Sequence, residues 1–259
     1  MKKLLSILVL LSAFFISPLY SQVEDISTDR PDQSESPYLM GKGYFQVETG
    51  IVYESDELEK DFTVTTLNAP SILVRYGLFK NIEIRAGLDV LNEKTKIAST
   101  STSESGLGPL VLGTKIKMLE EKGSTPETAM LLKLSVPFKE TSRFQSTYLG
   151  TEFRLVMTNN LNKKFSLSYN IGAAFGEGAP GAIGIYSVSL GAAVMKKLSV
   201  YAELYGFLPQ KTSPDHRFDA GLTYLIMKNV QVDASFGLGL SKKSPDYFVG
   251  GGVSFRLPK

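Results

Sequence analysis

At 259 residues, with 43 % hydrophobic and 21 % charged residues and a mean hydropathy of +0.01, the chain is too apolar to be disordered and too polar for a bundle of membrane helices. Its 28 Lys and Arg against 26 Asp and Glu leave a net charge of +2, which argues against a nucleic-acid partner held by backbone electrostatics. No Cys and a single His remove disulfides, thiol nucleophiles, Cys- or His-based metal sites and most catalytic triads, so neither cofactor nor metal is expected.

Lys2 and Lys3 precede an apolar run from Leu4 to about Ile16, followed by Pro18 and Leu19-Tyr20-Ser21. A positive end, a short apolar stretch and a small residue at the cut describe a secretory signal over residues 1–21, with cleavage before Gln22. The run, roughly 13 residues, falls short of the ~20 of a membrane-spanning helix. Gln22 is not Cys, so no lipid anchor is expected. Residues 22–42 form a polar lead-in, and residues 43–259 follow as one unit.

From Tyr44 onward the apolar period is two. Phe45, Val47, Thr49, Ile51 and Tyr53 alternate with Gln46, Glu48, Gly50 and Val52. Segments near 63–78, 81–91, 107–118, 128–138, 149–158, 165–175, 185–195, 198–208, 217–227, 230–240 and 247–256 follow, about twelve strands in all. Most reach the ~9–11 residues of a tilted membrane strand. Their apolar phase carries no charged residue. The opposite phase carries Glu48, Arg75, Glu83, Arg85, Asp89, Lys115, Lys133, Glu152, Arg154, Glu203, Arg217, Asp219, Asp233 and Arg256. A Lys or Arg facing lipid at the bilayer midplane costs about 2–4 kcal/mol, so a membrane wall requires such a clean phase. A soluble β-sandwich with a dry core requires the same, and alternation alone does not separate the two.

The connections separate them. Short joints at Leu78-Phe79-Lys80, Met195-Lys196-Lys197 and Met227-Lys228-Asn229 alternate with longer polar ones such as Glu54–Asp61, Asn92–Ser105, Lys139–Thr147 and Pro209–Asp215. Short turns on one rim and long loops on the other describe an all-β, transmembrane antiparallel β-barrel of about twelve strands, with both ends on the short-turn, periplasmic side. Keeping the phase across the short joints calls for odd-numbered loops, three residues long. A three-residue turn centred on Phe79 would set Arg75 opposite Glu83 and Leu73 opposite Arg85.

Ile26–Pro37, then Glu48-Thr49-Gly50, resembles a bacterial outer-membrane family grouped under the putative meta-pathway of phenol degradation heading. Pro70–Leu78, Asn81–Arg85, Gly106-Leu107-Gly108 and Phe248-Val249-Gly250 fit the same family. The resemblance implies a transporter-type barrel in the outer membrane of a Gram-negative cell. Its partners would be membrane lipid and small solutes, hydrophobic or aromatic compounds among them.

The inward-phase charges would line a passage and set its selectivity, or neutralise one another and close the interior. They divide evenly, seven acidic and seven basic, which predicts weak charge selectivity. Asp29, Arg30, Asp32 and Glu35 either fold into the lumen as a plug or lie in a periplasmic tail. Asp25 with these carboxylates lacks the ligand rhythm of a calcium loop. His216, near Asp215 and Ser213, is a weak basis for a hydrolase, and no catalysis is expected. The expected function is passive passage of small solutes. The alternative is a structural or surface-interaction barrel with a sealed lumen; oligomeric state stays open.

Overall fold

The computed structural model describes residues 25–137, 143–176 and 181–257. The expected secretory signal lies outside these residues. Among them every regular element is a strand. In chain order these are β1 (Phe45–Glu59), β2 (Phe62–Phe79), β3 (Ile82–Ile97), β4 (Thr100–Leu107), β5 (Leu110–Leu119), β6 (Glu127–Val136) and β7 (Gly150–Asn160). There follow β8 (Phe165–Phe175), β9 (Ile183–Met195), β10 (Leu198–Pro209), β11 (Asp215–Met227), β12 (Val230–Gly239) and β13 (Tyr247–Leu257).

Apart from β4 and β5, which do not pair with each other, consecutive strands pair antiparallel, and β1 pairs with both β2 and β13, which closes the sheet. Thirteen segments make a twelve-stranded barrel because β4 and β5 share one position. Both pair with β3, β4 along Val90–Ile97 and β5 along Ile82–Gly87. The interruption falls at Gly108-Pro109. Pro109 has no N–H for the ladder, while the Gly108 N–H still donates to the Asp89 carbonyl at 2.9 Å. A closed sheet leaves no unpaired edge, as a bilayer demands.

Two expected loops are strand instead. Glu54–Asp61 continues β1 as far as Glu59 and turns at Lys60-Asp61, and Asn92–Ser105 is the β3–β4 hairpin turning at Ala98-Ser99. Runs such as Thr63-Val64-Thr65-Thr66 and Thr100-Ser101-Thr102-Ser103 are polar yet rich in β-branched residues, so they extend the ladder beyond the apolar band.

The short turns also differ from expectation. Lys80-Asn81, Lys196-Lys197 and Lys228-Asn229 are two-residue turns, and the odd residue sits in an adjacent β-bulge. In β2 the bulge lies between Gly77 and Phe79. It keeps the apolar phase outward on both strands, but shifts the register: Arg75 faces Arg85, Gly77 faces Glu83 and Leu73 faces Gly87.

The side-chain distribution is that of a soluble protein turned inside out. Ile84, Leu132, Phe153 and Phe236 are exposed on the outer face, whereas Arg75, Lys115, Glu48 and Glu83 rank among the largest fully buried side chains. This separates the barrel from a β-sandwich, in which the apolar phase would be dry.

Candidate functional site

Residues 25–42 contain no strand and run inside the barrel. The segment enters at the short-turn rim, where the Ile26 N–H donates to the Lys228 carbonyl in the β11–β12 turn. It leaves at the same rim, where Gly43 donates to Gly77 at 2.7 Å. Between these points its backbone is bound by inward side chains from across the barrel. Glu48 Oε2 accepts from the N–H groups of Asp29 and Arg30 at 3.0 and 3.2 Å. Glu203 Oε2 accepts from Gln33 at 2.7 Å, Asn170 Oδ1 from Glu35 at 2.8 Å and Glu83 Oε2 from Met40 at 2.9 Å. A strand-free segment buried in a barrel needs such partners, because its own backbone satisfies few of them.

The charges of the wall are segregated. On β2, β3, β5, β6 and β7 stand Arg75, Arg85, Lys115, Lys133 and Arg154, with Glu83 and Glu152 among them and Glu48 beside them on β1. Arg75 donates to Glu83 through Nε and Nη2, each at 2.9 Å, and to Glu48 at 2.8 Å. The Arg75–Glu83 pair therefore exists, but diagonally, across a register in which two arginines face each other. Like charges directly opposite destabilise a sheet, and the carboxylates of Glu48, Glu83 and Asp29 offset that here. Arg154 holds Glu152 at 2.7 Å and donates to the Gln33 carbonyl at 3.2 Å.

The segment supplies the remaining anions of this wall. The Asp29 carboxylate accepts from Lys115 Nζ at 2.9 Å through both oxygens, also meets Arg85, and lies 3.3 Å from Arg75. The Glu35 carboxylate accepts from Arg85 at 2.7 Å and from Lys133 at 2.8 Å. Burial alone would raise both carboxyls. Arg75 and Lys115 around Asp29, and Arg85 and Lys133 around Glu35, outweigh it and hold both below the usual carboxylate range.

Across the lumen the wall is acidic, with Glu203, Asp219 and Asp233 on β10, β11 and β12. Arg30 of the segment crosses to this side and grips Asp233 through Nε at 3.2 Å and Nη2 at 3.0 Å. It lies against Gly50 and Gly252, where any Cβ would collide with the guanidinium. Asp32 faces Glu203 and Asp219 and accepts from Ser189 at 3.2 Å. Burial beside those two carboxyls pushes Asp32 well above the usual carboxylate range. Glu203 and Asp219 are direct cross-strand partners, and Tyr201 donates to Asp219 at 3.1 Å.

The other charged positions lie apart from this convergence. Asp89 is half-buried beside the β4/β5 interruption. Arg217 pairs with Asp215 and Glu54 towards the long-loop rim. Arg256 lies over the Tyr44 ring, 5.2 Å from its centroid, beside a cavity of about 1020 Å³ at the short-turn rim. His216 accepts or donates through Nδ1 with Tyr186 at 2.7 Å, and Asp215 is engaged by Arg217, so these residues form no triad. Among the described residues no group of His, Asp and Glu has the arrangement of a metal site.

Reading charges alone missed the neutral half of the lining. Gln46, Asn170, Ser187 and Gln231 are buried inward residues that bond the segment or its neighbours. The parity that placed Glu48 also placed Gln46 and could have found them. Ala129, Leu131 and Val156 form an apolar patch on the inward phase, covered by Leu39 of the segment.

A closed antiparallel barrel with charge inside and apolar side chains outside defines a transmembrane barrel of the bacterial outer-membrane class. The chain belongs to the family described as "Putative MetA-pathway of phenol degradation", whose profile matches residues 28–257. No curated protein matches it in sequence. Among solved structures, an outer membrane channel from Pseudomonas putida F1 is similar at 12 % identity and a TM-score of 0.71, covering 87 % of this chain and 98 % of the other. The KdgM porin in complex with disordered oligogalacturonate is similar at 11 % identity and TM-score 0.54, covering 81 % and 98 %. The translocator domain of the autotransporter NalP from Neisseria meningitidis reaches 11 % and 0.51, covering 83 % and 89 %. At these identities the likeness is one of fold.

Proposed function

We propose that the protein is a passive, non-catalytic channel for small solutes in the outer membrane, with residues 25–42 as a plug that occupies its lumen. In this reading residues 1–21 direct export and are removed near Ser21/Gln22. The observation that carries it is the lining: a segment with both ends at the short-turn rim, held by ionic groups that a purely structural barrel has no need to bury. Buried ion pairs contribute little net stability compared with apolar packing. Their concentration on a single docked segment supports a docking surface built to be vacated. Two similar structures, an outer membrane channel and a porin in complex with oligogalacturonate, agree with this reading.

Purified full-length protein should migrate faster unheated than boiled on gels and fractionate with outer membranes. Liposomes carrying it should swell in arabinose, and more so after Asp29→Asn/Glu35→Gln. Absence of swelling from both proteins would favour the sealed, structural barrel.

A further inference from the structure

We infer that the cationic wall beneath the plug is a recognition site for small dicarboxylates, and that Asp29 and Glu35 occupy it as built-in mimics of that solute. The inference rests on the channel reading and names the solute class.

When the segment departs, the cations of this wall keep unequal shares of carboxylate. Arg75 retains Glu48 and Glu83 at 2.8 and 2.9 Å, and Arg154 retains Glu152 at 2.7 Å. Lys133 retains Glu152 at 3.3 Å. Arg85 is left with Glu83 at 3.5 Å, and Lys115 loses the carboxylates at 2.9 and 3.6 Å that it now holds and keeps only its cross-strand partner Glu83, which Arg75 and Arg85 share. Five cations then face three carboxylates on this wall, and the deficit is concentrated at Arg85 and Lys115.

Those two side chains are 2 % and 0 % exposed with the segment in place. A guanidinium and an ammonium so placed favour an anion that returns what the segment took away. The shape of the deficit identifies that anion. Arg85 uses Nη2 for Asp29 and Nη1 for Glu35, so two separate carboxylates meet at one planar fork. Lys115 spans the same pair, and Lys133 flanks the Glu35 side. A single small molecule with two carboxylates reproduces both ends; a monocarboxylate reproduces one. The net positive charge of this wall disfavours a cation, and the acidic wall opposite disfavours a carboxylate that strays from Arg85. Counting charges along the sequence gives equal signs, but their partition between two walls converts that balance into a directional site.

The solute and the plug then compete for the same donors, so the dicarboxylate drives the plug out. The chain has no Cys. A single Ser34→Cys substitution therefore gives a unique reporter at a position that is 3 % exposed and bonded to Ser187. The experiment measures thiol labelling of this variant in full-length protein in liposomes, with succinate, acetate or chloride at matched ionic strength.

Succinate should accelerate labelling by about fivefold or more, the lower end of ordinary linkage between competing ligands. Acetate should act more weakly and chloride not at all. Arg85→Gln/Lys115→Gln should remove the succinate effect. If that variant fails to assemble, Lys133→Gln, at the edge of the site, should raise the succinate concentration needed. Equal labelling in succinate and chloride would overturn the dicarboxylate site. The channel reading is judged separately by arabinose swelling, so either can fail alone.

Discussion

Asp29→Asn removes one charge from the centre of the plug and leaves its shape nearly unchanged. The carboxylate it replaces is 3 % exposed and meets Lys115 at 2.9 Å, Arg85, and Arg75 at 3.3 Å, while also accepting from Ser36. Removing one partner of a buried ion pair costs about 3–5 kcal/mol, because the other charges stay buried without it. Here Arg85 and Lys115 keep Glu35, and the amide oxygen still accepts from one donor, so the lower end, about 3 kcal/mol, applies. That energy falls on docking rather than on the barrel, whose ladder does not involve residue 29. At 1.36 kcal/mol per factor of ten, the undocked population rises about a hundredfold. Labelling of Ser34→Cys in the Asp29→Asn background should rise accordingly, with heat-modifiable migration unchanged. A rise below about fivefold would mean that Asp29 behaves as an exposed pair worth under about 1 kcal/mol, and the buried-network reasoning would be wrong.

Three further outcomes follow from the geometry. Because docking raises the Asp32 carboxyl above its free value, docking should weaken as pH climbs from the ordinary carboxylate range towards the raised one. Ser34→Cys labelling, normalised to exposed Ser213→Cys, should therefore increase with pH, and Asp32→Asn should flatten that increase. Below the ordinary range the sign reverses: Asp29 and Glu35, held low when docked, lose their contribution on protonation, so acid should also release the plug. Gly252→Ala places a Cβ 2.5 Å from Arg30 Nε and should break the Arg30–Asp233 pair. Charge-assisted hydrogen bonds are worth about 1.5–3 kcal/mol, so labelling should rise about tenfold or more. In an Arg30→Ala background the same substitution should change labelling far less, since only its contact with the Thr49 carbonyl of the wall, at 2.5 Å, remains. Leu132→Arg on the lipid face should cost about 2–4 kcal/mol of barrel stability in a bilayer, read by urea titration of gel migration.

Much of the fold was legible because a membrane wall tolerates no charge on its outer face. That constraint gave β3 its alternation of Ile82, Ile84 and Ala86 with Glu83 and Arg85, and the same parity runs through β12 and β13. The errors fell where the constraint relaxes. Above the apolar band polar residues are compatible with strand or loop, and Thr100–Ser105 reads as loop until its pairing with β3 is seen. At the turns, a three-residue loop and a two-residue turn with a bulge preserve phase equally well, so parity could not choose between them. The resulting shift replaced an expected Arg75–Glu83 pair in direct register with Arg75 facing Arg85 and Glu83 reached diagonally. In the site, charge on the inward parity found Glu203 and Asp233, whereas the neutral Asn170 and Ser187 share that parity but carry no charge to single them out.

The linear pattern by itself determined which side chains face inward, because side-chain direction alternates residue by residue along a strand and the cost of a charge in lipid is local. Which inward charges meet was decided only by closure of the barrel and docking of the segment. Arg30 reaches Asp233 across 203 positions, and Asp29 gathers Arg75, Arg85 and Lys115 from three strands. Such encounters depend on register and on distance through space, and neither is written in a period of two.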